Sequence, residues 1–335
     1  MPSPYRLSDM RNSTRGRLSP ILFFGIVTGV LAIGLFGYLT FPEKVSSENE
    51  QGPLTVVTTT THVTDMVNQI GGGDIEVIGL MGPSVDPHLY KPSASDVTHL
   101  RKAEVIFYSG LMLEGRMADL FFKMARRGAA VYAVTEAIPE DALLEPEAFE
   151  GHWDPHVWFD PLLWVTAIDV VVGGLSRADP TNAELYVQRG ADLKDVYLAV
   201  HAWAQAQVTE IPKSRRILVT SHDAFNYFGR AYDFQVVAVQ GISTVTEAGL
   251  ADIAEMIDFI QEKHIPAIFV ESSVSPAAIN RISQDSGARI GGELFSDAMG
   301  APGHIVTGPN GETYDEGTWP GMIQHNINTI VEALK

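Results

Sequence analysis

From Leu54 onward, short apolar runs alternate with stretches of helical period. Leu54–Thr58, Ile75–Gly79, Val105–Ser109 and Ala130–Val134 read as strands. Between them, a segment beginning at Asp65–Ile70, then Ala94–Ala103 and Met112–Arg127, repeat apolar side chains every three or four residues, as helices do. Met112, Met117 and Met124 fall on that spacing and read as core. Such alternation predicts a mainly parallel sheet with helices on its faces. The pattern then breaks. A long helical stretch opens at Asp179-Pro180, with Asp179 as N-cap and Pro180 at the first helical position, and stops before Ile211-Pro212. Leu185, Leu193, Val196, Tyr197, Val200 and Trp203 supply its apolar face. About thirty residues at 1.5 Å rise make a rod of roughly 45 Å, long enough to join two lobes.

The alternation resumes with strands at Ile217–Thr220, Gln235–Val239, Ala267–Glu271 and Ala288–Gly291. Helices are expected at Ala224–Tyr232 and Met322–Leu334. Another is expected after a Thr244/Glu247 capping box, with Leu250, Ile253, Ala254, Ile257 and Ile260 on one face. The expected architecture is an α/β fold: two (β/α) lobes with mainly parallel four-stranded sheets, 51–178 and 211–335, joined by one long rigid helix, 179–210. Residues 1–50 stand apart. Pro20–Phe41 carries no charge over about 22 residues, enough to span a hydrocarbon core, and four arginines precede it. It reads as a signal peptide or an uncleaved signal anchor. Its length, and the lack of a clean A-x-A site after it, favour the anchor. Pro42–Pro53 reads as a polar tether. Either way, the remainder is expected to work outside the cytoplasm, in the periplasm or on the outer face of the membrane.

Composition narrows the chemistry. Lys plus Arg total 23 and Asp plus Glu 41, a formal charge of −18. That surface disfavours nucleic acid and favours cations. There is no cysteine, so disulfides, thiolate metal sites and Cys nucleophiles are excluded. Gly71-Gly72-Gly73 does not match G-x-G-x-x-G, and the chain contains neither a P-loop nor a nucleophile elbow.

Loops beyond the carboxyl ends of parallel strands are where α/β folds bind ligands. Four such places carry a good metal ligand: Asp86-Pro87-His88, Asp154-Pro155-His156, Ser221-His222-Asp223 and Ser296-Asp297. The ligands His88, His156, His222 and Asp297 are 68, 66 and 75 residues apart, so only a cleft between the lobes could unite them. Three imidazoles and one carboxylate suit Zn²⁺, then Mn²⁺ or Fe²⁺, and fill a tetrahedral shell. An Asp two residues before a His can take the other ring N–H, which makes Asp86 and Asp154 candidate supports. Glu271 ends a strand and is a third candidate. His62, at the end of the first strand, reads as a supporting or structural residue ahead of a ligand.

These segments carry a family resemblance. DPHLYKPSASD (86–96), DPHVWFDP (154–161), VTSHDAFNYFGRAYDF (219–234), GISTVTEAGL (241–250), IFVESS (268–273) and GGELFSDAMG (291–300) are similar to the metal-specific solute-binding proteins of bacterial ABC transporters, the TroA/ZnuA-like zinc and manganese receptors. The resemblance spans residues 54–335. It implies two lobes on one rigid helix, with ligands at His88, His156, His222 and Asp297. It further implies capture of a divalent metal for an ABC permease. Members with His at the position of His222 are zinc-directed or bind both metals, and those with Glu are manganese-directed, so zinc comes first and manganese second. A monomer that is no enzyme is expected. Two departures stand out. The stretch Glu140–Trp153 is acidic rather than His-rich, and the lipoprotein Cys of many members is absent. Gly303–Thr318 reads as a polar loop extension. Two other readings use the same residues. One is a metal-dependent hydrolase, which needs an open coordination position. The other is a tethered metal buffer or adhesin.

Overall fold

The computed structural model describes residues 52–335; the apolar segment 20–41 and most of the tether lie outside the described residues. β1 (Leu54–Thr58), β2 (Ile75–Gly79), β3 (Val105–Tyr108) and β4 (Ala130–Ala133) form one parallel sheet in the order β2-β1-β3-β4. Val56 pairs with Val77 on one side and Val105 on the other. The order in which strands are added reverses between β1 and β3, which places a crevice at their carboxyl ends. Helices α1 (Thr61–Gly71), α2 (Ala94–Lys102) and α3 (Ala118–Arg126) connect these strands. α1 starts before the expected Asp65, because the Thr60 side chain caps it by accepting from the Val63 N–H. Met117 and Met124 are buried, whereas Met112 is 57% exposed and lies in a left-handed turn outside any helix.

The chain then forms a helical hairpin that the sequence pattern disguises. α4 (Pro161–Ala178) is capped by Asp160 and carries Pro161 in its first turn. It is apolar enough to cross a membrane by composition. Trp164, Ile168, Val171 and Leu175 are nevertheless fully buried, so its apolarity serves the core. α5 (Ala183–Val208) is the linking rod, 26 residues or about 39 Å long. Asp179 ends α4 instead of starting α5, accepting from Asn182 and from the Tyr186 hydroxyl to pin the turn. The buried face of the rod is Tyr186, Gly190, Leu193, Tyr197, His201, Ala204 and Val208, while Leu185 and Val196 are exposed.

In the second lobe, β5 (Ile217–His222) pairs in parallel with β6 (Gln235–Gln240), and β7 (Ala267–Glu271) with β8 (Arg289–Leu294). β5 packs alongside β7. The expected four strands are therefore present as two hydrogen-bonded pairs. At the end of their seam, the His222 N–H is taken by the Glu271 carboxylate (2.9 Å). Helices α6 (Asn226–Tyr232), α7 (Leu250–Lys263) and α8 (Ala277–Ser286) cover the strands. Leu250 is 88% exposed, so the buried face of α7 centres on Met256 and Ile260. The expected Thr244/Glu247 cap is not used. Gly249 opens α7, its N–H donating to Asp252 (2.8 Å), and Thr244 turns toward the first lobe. Gly303–Thr318 is a two-stranded hairpin, β9 (Ile305–Thr307) and β10 (Thr313–Asp315), not a loop. Its Asn310-Gly311 turn is a recognisable hairpin signal.

α9 (Trp319–Leu334) closes the fold. One hydrophobic core runs through both lobes, from Val56 and Phe107 through Trp158, Trp164 and Tyr197 to Trp319 and Leu334. Trp319 stacks on Tyr197 with centroids 4.0 Å apart and donates Nε1–H to the Trp158 carbonyl. Asp65 of α1 accepts the Trp319 N–H (2.9 Å), so the first lobe caps the last helix.

Gly321, in the first turn of α9, is where the hairpin meets this core. A Cβ there would overlap the Asp315 carbonyl. Gly321→Ala should lower stability by about 1–3 kcal/mol, despite the better helix propensity of alanine. Urea unfolding checks this; equal or greater stability in the variant would show that the approach is not tight.

Candidate metal centre

Each potential ligand sits where local structure leaves it little freedom. His88 lies in the loop after β2, His156 just before α4, His222 is the last residue of β5, and Asp297 follows β8. The four are 6%, 0%, 0% and 1% exposed. One ligand atom from each lies within 4.8 Å of the others. His88 Nε2 is 3.4 Å from His156 Nε2, and His156 Nε2 is 3.4 Å from Asp297 Oδ1. His222 Nε2 is 3.3 Å from Asp297 Oδ2, and His88 Nε2 is 3.8 Å from the same oxygen. Bonds of about 2.0–2.1 Å to a tetrahedral ion put ligand atoms roughly 3.3–3.4 Å apart, which three of these four distances match. His222 Nε2 and both Asp297 oxygens are buried with no hydrogen-bond partner. Groups of that kind are costly unless a cation completes them.

The supports differ from site to site. Asp154 Oδ1 accepts the ring Nδ1–H of His156 (2.7 Å) and its backbone N–H (3.0 Å). Glu271 does the same for His222, with one oxygen for the backbone and the other for Nδ1. Both rings are thereby turned to present Nε2. Asp86 departs from the expected pattern. Its Oδ1 accepts the backbone N–H of His88 (2.8 Å), not the ring, and its Oδ2 accepts the Thr244 hydroxyl from the second lobe (2.6 Å). His62 is fully buried, stacked on Trp158 at 4.5 Å, with Nε2 3.3 Å from the Met322 sulfur. It lies outside the four-residue group.

Burial lowers the His88 and His62 imidazoles to about 3, so both are neutral and His88 is ready to donate a lone pair. Burial also opposes charge on His156, but Asp154, followed by Asp297, raises it to about 9. His222 is likewise raised against burial, first by Glu271 and then by Asp297. Burial would raise the Asp297 carboxyl, yet His222 and His156 hold it well below the usual carboxylate range. Without a metal, two imidazolium rings therefore face the Asp297 carboxylate. Protons therefore compete with a metal for His156 and His222 at neutral pH.

Several positioning residues escaped the sequence pattern because they act across the lobes. Tyr227 donates to the Asp154 carbonyl (3.0 Å) and accepts the Leu144 N–H. Asn226 donates to Asp154 Oδ2, and Trp158 Nε1–H to the Ser296 carbonyl. Arg230 holds Asp160 and the Ala142 carbonyl, so the acidic stretch 140–152 is pinned to the second lobe. No spacing rule would have paired these positions.

The fold and this geometry agree with known proteins. Residues 56–333 match the family model described as "ZnuA: Zinc-uptake complex component A periplasmic". The manganese-binding lipoprotein MntA of Bacillus subtilis is 43% identical over 288 residues, covering 84% of this chain and 90% of that one. The zinc-binding protein TroA of Treponema pallidum is 41% identical over 310 residues, covering 91% and 96%. A solved structure of the periplasmic zinc-binding protein TroA superposes with a TM-score of 0.79, covering 84% of this chain and 99% of that one. The chain thus belongs to the ZnuA family, as a metal-binding substrate-binding protein of an ABC transporter and not an enzyme.

Proposed function

We propose that the chain captures Zn²⁺ outside the cytoplasm through His88, His156, His222 and Asp297, with Mn²⁺ as second cargo, and delivers the ion to an ABC permease for import. The observation that carries this reading is the convergence of four buried ligand residues within 4.8 Å, with His222 Nε2 and both Asp297 oxygens left without a hydrogen-bond partner. The names of the relatives do not separate the metals, since one is named for manganese and the other for zinc. The donor set favours zinc: three imidazole nitrogens and one carboxylate suit a small tetrahedral ion. Both Asp297 oxygens face the centre, so a fifth contact is within reach, which suits Mn²⁺ as the alternative. The filled shell holds an ion and leaves no place for an activated water. In this reading the protein acts as a monomer, held at the outer face of the membrane by residues 20–41.

Titration calorimetry of the full chain in detergent should find one ion per chain. Heats compared across buffers of different ionisation enthalpy should show release of about two protons per ion near pH 7. The sign follows from the raised imidazoles. Protonated His156 and His222 must lose their protons to ligate, so affinity rises with pH and falls as pH drops from about 9. Release of no protons, or affinity flat between pH 6 and 8, would contradict the assignment.

Glu271→Gln keeps the size of the support but removes its charge. Affinity should drop roughly 10–100-fold with the fold intact. Full affinity in this variant would mean that Glu271 does not orient His222. His222→Glu should move preference toward Mn²⁺ in a direct Zn²⁺/Mn²⁺ competition. An unchanged ratio would discredit the role given to position 222.

A further inference from the structure

The four ligands are not held alike. The segment carrying His156 is bound to the second lobe by hydrogen bonds from Asn226, Tyr227 and Arg230, and by Trp158 donating to Ser296. Trp158 also sits in the shared core. His222 and Asp297 belong to the second lobe outright. Three ligands thus stand on one block. His88 does not. Among the described residues, and apart from contacts between the ligands themselves, segment 82–92 makes one hydrogen bond to the second lobe, from Thr244 to Asp86. The same Asp86 side chain holds the His88 loop through the N–H groups of His88 and Leu89.

Two further features mark this loop as the one that moves. Ser84 has φ +61, an uncommon left-handed backbone for a residue with a Cβ, in an exposed turn at the start of the loop. A cavity of about 420 Å³ lies directly against the Asp86–Thr244 bond, lined in part by Leu89, Glu247, Ser273 and Arg281. The bond can therefore break into open space without disturbing packed core. His88 is also the most exposed of the four ligands.

We infer that the Thr244–Asp86 hydrogen bond is the latch that closes His88 over the cargo, and that metal leaves by withdrawal of the His88 loop while the other three ligands stay in place. This rests on the four-ligand reading above. Thr244 is a positioning residue: it touches no ligand atom and acts through Asp86. Its contribution is to residence time, because the three-ligand block is preorganised whether or not the latch is made.

The test uses the full chain in detergent, loaded with Zn²⁺ and mixed with excess chelator in a stopped-flow instrument. Thr244→Val keeps the shape and removes the hydroxyl; release should accelerate about tenfold or more, as expected for loss of a hydrogen bond to a charged group. Thr244→Ser should restore the slow rate. The melting temperature of the metal-free variants should match the parent. Hydrogen exchange should rise over residues 82–92 in Thr244→Val, with or without metal, and stay unchanged over 154–160. Parental release from Thr244→Val, or failure of Thr244→Ser to restore it, overturns the latch. So does loosening of 154–160 together with 82–92. A parent chain that binds no metal would overturn the proposed function instead, while the exchange comparison on metal-free protein would still decide whether Thr244 holds the loop.

Discussion

A carboxylate buried without a hydrogen bond is the constraint on which this molecule turns. Asp297 is 1% exposed and neither of its oxygens has a hydrogen-bond partner. Such a charge is tolerated only beside positive charge. The pocket offers it in two forms. Without metal, imidazolium at His156 and His222 faces Asp297, with Asp154 and Glu271 behind them. Counting the three carboxylates as charged, the pocket then carries −1. Exchange of the two protons for one divalent ion leaves the same −1. The centre can thus fill and empty without leaving an uncompensated buried charge, which is what a carrier requires and a permanent structural site does not.

The second constraint is the core shared by the lobes. Relative domain motion is the usual expectation where the interface between lobes is small and polar. Here Trp158, Trp164, Tyr197 and Trp319 join one hydrophobic mass, and α5 and α9 run along it. Wide hinge opening would expose those rings at a cost that weak cargo contacts could not offset. Movement is accordingly directed to parts outside the core. The His88 loop is such a part, tied across the cleft by a single hydrogen bond. The body is fixed by that shared core, whereas the His88 loop packs Val85 and Tyr90 on a smaller, separate cluster of the first lobe.

Much of the fold was legible because strands on a parallel sheet are bounded by turn residues. β1 and β2 match the apolar runs read from the chain residue for residue. The rod was visible as a long helix, and Leu193, Tyr197, Val200 and Trp203 of its expected face do meet the core. Leu185 and Val196 looked like core and are exposed, while Tyr186, Gly190, His201 and Ala204 are buried at the same period. Hydropathy misleads there because the neighbours of α5 are close. Gly190 lets α4 approach, with Val172 where a Cβ would stand, and His201 finds the Tyr232 hydroxyl. At Asp179 a good capping residue served the end of one helix instead of the start of the next. At Thr244 the capping signal yielded to a partner 158 residues away.

Three of the four ligand positions were readable because they lie at or just after a strand end, and strand ends in an α/β fold converge whatever the distance along the sequence, while His156 was readable from its Asp-Pro-His triplet. Residue type then set the chemistry: imidazole and carboxylate, no thiol. Only the tertiary structure decided which support each ligand receives. Asp86 and Asp154 stand in identical Asp-Pro-His triplets and each accepts the backbone N–H of its histidine, yet only Asp154 also takes the ring Nδ1–H. The difference lies in what the opposite lobe presents, Thr244 in one case and Asn226 with Tyr227 in the other. Local sequence encodes what a side chain can bond to; the packing of distant elements determines which of those bonds is made.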